Sequence, residues 1–405
     1  MVNEYVKERN IKLLKKKEKM RDYLEQYQAL MSVIKCALWD DNPLTVKQEE
    51  YDELVKHAII SLPAMKISKF DLPEELRDQW KNAILKQMTY YARYKYTEST
   101  LPISVPYVVL KGSSAAQYYP NPELRTFGDI DIMTRREDAV VACDLLLKNG
   151  FKEITSQEDL SEGRHREFIK NGIVVEIHYF FAALNDIYKA QLFDDLIVNN
   201  ITSNHILPDL INGLILIEHI NQHLENGLGL RQIIDWMLFV NKCLPDEQWS
   251  KFQPLVSQIG LEYLTIITTR TCELYLGLPE HSWCKMADKK ICSLFMNYIM
   301  ESGNFGIKRT AADKLAYSRY KVSSHPIQTL KTLQQKGLRD WPLAHNIPLL
   351  RPFAWIWESR QYYKDLIIMR NKHQKAKTRE NLLNTLGVKR RDLGMAKYKD
   401  GKYYI

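Results

Sequence analysis

Glycine and proline are both sparse, at 16 and 15 of 405 residues. Collagen-like and low-complexity architectures need far more of either. Cysteine is scarce too. The six, at positions 36, 143, 243, 272, 284 and 292, form no CxxC pair and are too few for a disulfide framework. Free thiols in a reducing compartment are expected, and a cysteine-built zinc site is not. No run approaches the roughly 18 apolar residues needed to span a bilayer. The longest candidate, 210–220, is interrupted by Asn212, Glu218 and His219. The opening MVNEYVKERNIKLLKKKEKM lacks an apolar leader core. These absences predict a soluble cytoplasmic protein with no membrane partner.

Apolar residues make up 45% and charged residues 26%, a globular composition with length for two or three domains. The net charge of +8 is unevenly spread. Residues 351–405 hold 14 basic and 5 acidic side chains, or +9, so the rest of the chain sums to −1. Lys372, Lys375, Lys377, Arg379 and Lys389, Arg390, Arg391 offer contact to a polyanion. The competing reading is a solvated helix face and a frayed tail.

Hydrophobic spacing predicts a charged N-terminal helix over 1–35, packed on the body or recruiting a partner. A second helix is expected after Thr45, with Thr45 as cap and Gln48 three residues on. A third should begin at Pro73. From 101 the pattern changes. LPISVPYVVLKG reads as a strand and turn, SSAAQYYP as a short helix, FGDIDIMT as a strand, and 136–148 as a helix closed by Gly150. FKEITS, REFIKNG and VVEIHYFF are further strands, the last two joined as a hairpin by Asn171-Gly172. From 185 the pattern is helical, with long helices near 209–225, 230–243, 247–275 and 288–301. The expected fold is α+β. Helices at 1–100 precede a catalytic core at 101–184, followed by a helical domain at 185–350 and a basic helix and tail at 351–405.

Three features of the central island belong together. Lys111-Gly112-Ser113 follows a strand and opens a helix, where a glycine lets phosphate approach the backbone and Lys111 and Ser113 add a charge and a hydroxyl. Asp129 and Asp131 stand two apart on a strand and so share a face. Two carboxylates so close repel unless a cation lies between them, and Mg²⁺ favours carboxylates plus substrate phosphates. Glu176, in VVEIHY, is the third acid. It competes with a reading as a plain strand residue or a partner of Arg166. His178 shares its face, as a base, a phosphate donor or a structural histidine.

The series LKGSSAAQYYPNPELRTFGDIDIM followed by VVEIHY resembles the nucleotidyltransferase superfamily of the DNA polymerase beta type. Within it, LKG…YYPNPELRTFGDIDI…VEIHY, HINQHLENGLGLRQIIDWMLF and SGNFG look like an uncharacterised bacterial nucleotidyltransferase family. The resemblance implies a polymerase-beta-like core. It also implies transfer of a nucleoside monophosphate from an NTP to an acceptor hydroxyl, with Mg²⁺ or Mn²⁺ and release of pyrophosphate. By the match, Asp129, Asp131 and Glu176 hold the metals in a two-metal mechanism, Gly112 and Ser113 form the phosphate loop, and Lys111 and Arg125 neutralise the triphosphate. Fifteen residues separate Ser113 from Asp129, slightly more than the superfamily's usual spacer. The acceptor, a small molecule, protein or RNA end, stays open, as does oligomeric state.

Two helical pairs complete the candidates. Arg231 and Asp235, at i and i+4, are either a helix ion pair or nucleotide contacts. His219 and His223 have zinc-binding spacing, but no HExxH glutamate accompanies them, and core or capping roles are favoured. His165 and Arg166 are expected near the site. The rival functional reading is a non-catalytic nucleotide-binding or interaction module, or a toxin component, on the same fold. A helical adaptor with the island as an insertion is a second rival.

Overall fold

The computed structural model describes residues 25–39, 44–156, 164–184, 186–309, 347–353, 355–356, 370–387, 397–399 and 402–404. The chain divides into two compact units, Met1–Gly306 with Gly394–Ile405, and Ile307–Leu393.

Within the first unit, strands β1 (Tyr107–Leu110), β2 (Ile130–Thr134), β3 (Lys152–Glu153), β4 (His165–Lys170) and β5 (Ile173–His178) form one sheet in the order β1-β2-β5-β4-β3. The β2–β5 pair is parallel, and the other pairs are antiparallel. A parallel pair needs a crossover, and helix α5 (Arg136–Lys148) lies in it, ahead of β3 and β4. At the β4–β5 turn, Asn171 and Gly172 have φ of 52° and 73°. That is the type I′ geometry which matches strand twist.

The sheet's two faces differ in chemistry. Ile130, Ile132, Val175 and Ile177 pack with Ala139, Ala142, Cys143 and Leu146 of α5 in one buried cluster. Strand side chains alternate, so burying these residues turns Asp131, Glu176 and His178 to the opposite face. The core thereby determines which side carries the carboxylates.

Before the sheet come α1 (Gln28–Trp39), α2 (Gln48–Lys56) and α3 (Glu74–Ser99). The Trp39 Nε1 donates to the carbonyl of Leu276 at 2.8 Å, so the described part of the expected N-terminal helix packs on the body. Residues 1–24 lie outside the described residues. Thr45 does not cap α2. Backbone bonds between 44–46 and Asp71 hold it extended, and the Glu50 side chain accepts from the Lys47 N–H at 2.8 Å instead. The third helix begins after Pro73 as expected.

After the sheet come α6 (Ile187–Val198), α7 (Asp209–Asn226), α8 (Leu230–Cys243), α9 (Asp246–Gln258), α10 (Glu262–Leu276) and α11 (Lys289–Ser302). The expected single helix 247–275 is two. Gly260, at φ +79°, turns the chain between α9 and α10. Helices α7 and α8 are largely buried, with Trp236, Phe239, Leu214 and Ile217 fully so.

In the second unit, α12 (Arg370–Thr385) carries Lys375, Lys377 and Arg379 and buries Leu382 and Leu383. The cluster at 389–391 lies outside the described residues. Where the sequence suggests a frayed tail, Lys397–Lys399 and Lys402–Tyr404 pair antiparallel. Among the described residues, no helix is long and apolar enough to cross a membrane.

Candidate active site

The parallel pairing of β2 with β5 sets Asp131 directly beside Glu176. Asp129 stands just before β2, and one oxygen from each of the three carboxylates falls within a 4.8 Å cluster. Asp131 is 2% exposed, with Lys111 Nζ at 2.6 Å and His178 Nε2 at 2.9 Å. His178 Nε2 also lies 3.2 Å from Glu176 Oε2.

These charges set one another's protonation. Burial opposes ionisation of Asp131, yet Lys111 and His178 hold it well below the usual carboxylate range. Burial pushes Glu176 up to about 8, opposed by the His178 hydrogen bond and helped by the charges of Asp131 and Asp129. Burial alone would lower Lys111 and His178, but the surrounding carboxylates outweigh it and raise both.

Local backbone geometry delivers Lys111. It follows β1 with φ of 49°, in the left-handed region that non-glycine residues rarely adopt. Gly112 is also left-handed, and a Cβ there would meet the Tyr94 hydroxyl at 2.3 Å. Helix α3 thus closes over the glycine turn. Its Tyr90 hydroxyl and Gln87 amide donate to the carbonyls of Gly128 and Arg125, at 2.7 and 2.9 Å, fixing the loop before Asp129.

Several expected contacts differ. The Ser113 hydroxyl donates to Glu98 and accepts from Lys95 Nζ at 3.2 Å, so it faces α3 rather than the cavity. The helix it opens, α4 (Gly112–Ala116), is five residues long and offers little dipole. Lys111 is engaged by Asp131, the salt-bridge alternative to a direct phosphate contact. Arg125 borders the cavity, but its guanidinium is committed. Its Nε and Nη2 donate to the two oxygens of Asp235 at 2.8 and 2.7 Å, and Tyr119 donates to the same carboxylate at 2.8 Å. Arg125 and Asp235 are 3% and 1% exposed and form a buried link between the loop and α8.

That link explains Arg231. Its i+4 partner on α8 is already taken by Arg125, so the ion-pair alternative does not form. Among the described residues Arg231 has no carboxylate or hydrogen-bond partner, and its buried Nε is unsatisfied. The guanidinium stands 5.5 Å over the Phe305 ring and borders the cavity. Burial, then the charge of Arg125, lower its pKa.

One cavity joins these groups. Asp129, Asp131, Glu176, His165 and His178 line it together with Arg231, Arg164, His219, Gln222 and His223. His219 and His223 are not merely core histidines, since they meet Nε2 to Nε2 at 2.8 Å on the cavity wall. Arg166 points away to Glu153, at 2.6 Å, because alternation along β4 sends it to the other face. The sequence reading missed Arg164, Phe181, Gln222 and Phe305. Arg164 is anchored by the carbonyls of Phe181 and Ala182, at 2.8 and 3.0 Å. No motif flags it. Phe305 lies within SGNFG, a stretch singled out only for resemblance.

A small mixed sheet with clustered carboxylates on one face and a glycine turn at its edge defines a nucleotidyltransferase-like core. A family model described as an uncharacterised nucleotidyltransferase matches residues 39–277, more than half of the chain. The chain belongs to that family. Searches of curated proteins and of solved structures found no match.

Proposed function

We propose that this protein moves a nucleoside monophosphate from an NTP to an acceptor hydroxyl, releasing pyrophosphate. What carries the reading is the convergence of Asp129, Asp131 and Glu176 on one sheet face, within 4.8 Å. Carboxylates packed this closely are the donor set that divalent cations take, and the set suits a pair of Mg²⁺ or Mn²⁺ ions. Such ions, when bound, neutralise phosphate charge and acidify the acceptor hydroxyl.

The chain's own residues do the rest. Asp129, Asp131 and Glu176 hold the cations. Lys111 keeps Asp131 ionised and brings positive charge to the reacting end of the cleft. His178 fixes the orientation of two of the three acids. Gly112 leaves room at the turn for a phosphate. Arg231, lacking an acid of its own, binds the anionic tail of the nucleotide. Catalysis in this scheme comes from positioning and charge complementarity. Residues 101–184 form the catalytic core, with α7 and α8 as the facing wall.

Asp129→Asn and Glu176→Gln test the reading, since neither strips a charge from the buried Lys111–Asp131 pair. Both are expected to fold, seen as an unchanged far-UV spectrum, and to lose Mg²⁺-dependent pyrophosphate release from NTPs by about 100-fold or more. Wild-type-like turnover in either variant refutes the assignment. Metal-dependent nucleotide binding by wild type without pyrophosphate release instead identifies a binding module.

A further inference from the structure

We propose that Glu176 is shared between two donor sets. The second, His165–Glu176–His178, binds a divalent transition metal in preference to Mg²⁺. The inference deepens the metal-dependent reading above and rests on it.

The argument begins with register. His165 opens β4 and His178 closes β5, and they are directly paired across the antiparallel ladder. Directly paired residues project to one face. Their ring centroids are 5.3 Å apart. Glu176, two residues before His178, shares that face. One donor atom from each of the three lies within 4.8 Å of the others.

The short distance between donors matches a coordination sphere. Within the set, His178 Nε2 stands 3.2 Å from a Glu176 oxygen. Ligands about 2.1 Å from an ion and at right angles to each other are roughly 3 Å apart. The Glu167 carboxylate lies 3.4 Å from His165 Nε2, close enough to become the outer-shell acceptor of a ligating imidazole.

Donor chemistry selects the ion. Asp129, Asp131 and Glu176 offer oxygen only, which suits Mg²⁺. Two imidazoles and one carboxylate suit Mn²⁺, Fe²⁺ or Zn²⁺, while Mg²⁺ takes nitrogen poorly. This set contributes a single negative charge. A divalent ion held there keeps positive charge and open positions for a phosphate oxygen.

Mn²⁺ is the probe, added to the metal-stripped full chain without nucleotide. Pulsed EPR of the first bound equivalent is expected to show ¹⁴N coupling from imidazole. Calorimetry is expected to give Mn²⁺ binding at least about tenfold tighter than Mg²⁺. His165→Ala should weaken Mn²⁺ binding about tenfold or more and leave Mg²⁺ affinity within about twofold. His165 has a side chain 20% exposed on the cavity wall, so its truncation spares the core. The EPR measurement on wild type needs no variant at all. Bound Mn²⁺ without nitrogen coupling, or unchanged Mn²⁺ affinity in His165→Ala, overturns the proposal. If that happens while Mg²⁺-dependent NTP turnover persists, nucleotidyl transfer stands and the nitrogen site falls. If His165→Ala behaves as expected but no NTP is turned over, the metal site stands and the enzymatic reading falls.

Discussion

Arg231 carries a buried charge with no ion pair or hydrogen bond among the described residues, offset only at longer range by Asp235 and Asp129. A buried ion without a partner destabilises the folded state, and replacing it with an apolar side chain of similar volume is often stabilising. Arg231→Met is therefore expected to raise the Tm of the ligand-free protein. Under the proposed function the same change would remove a charge-assisted contact to the nucleotide worth about 1.5–3 kcal/mol, so the KM for NTP should rise about tenfold or more. Thermal melts and steady-state kinetics on the same preparations check both halves. A lowered Tm with unchanged KM means that Arg231 is structural. The contrast with Arg125 is instructive. Both arginines border one cavity, yet Arg125 is hydrogen-bonded to Asp235, whereas the short-range contact of Arg231 among the described residues is an aromatic face.

Among the elements, the start of α4, just after β1, meets α3 at a steric contact. Gly112 has φ +34°, and its missing Cβ is the space that the Tyr94 hydroxyl fills. That hydroxyl is buried without a hydrogen-bond partner among the described residues. Gly112→Ala is expected to cost about 1–3 kcal/mol, through backbone strain and the clash together. Tyr94→Phe alone should be close to neutral, because it removes an unsatisfied polar atom. Combined with Gly112→Ala, it should recover part of the loss and leave the strain component. Urea titration of the two single variants and the double variant measures this coupling, and strict additivity excludes the contact. The element pattern itself was legible. Alternation in FGDIDIMT and VVEIHYFF, the Asn-Gly turn and the helix at 136–148 all reflect local propensity and period, which neighbouring residues encode. The break at Gly260 was missed because helical spacing continues across it.

On the scale of the whole molecule, the Arg125–Asp235 pair joins the loop ahead of β2 to helix α8, tying the sheet to the helices that follow it. Asp235→Asn leaves Arg125 buried with less than its full charge partner and should lower stability by roughly 3–5 kcal/mol. Arg125→Met with Asp235→Leu should cost less than Asp235→Asn alone, by chemical denaturation. A double variant as unstable as the sum of its parts excludes the link. Sequence by itself determined the α+β island, the strand faces and the three acids, because period-two alternation and residue chemistry are properties of short stretches. Only the tertiary structure decided which cations serve those acids. Lys111 and Arg125 both read as phosphate ligands in the chain; packing gave each a carboxylate, from 20 and 110 residues away. It also left Arg231 without an ion pair among the described residues, turned Ser113 toward α3, and set His165 opposite His178. Electrostatic pairing depends on distance in space, and burial decides its strength, so neither is written in the spacing of residues along the chain.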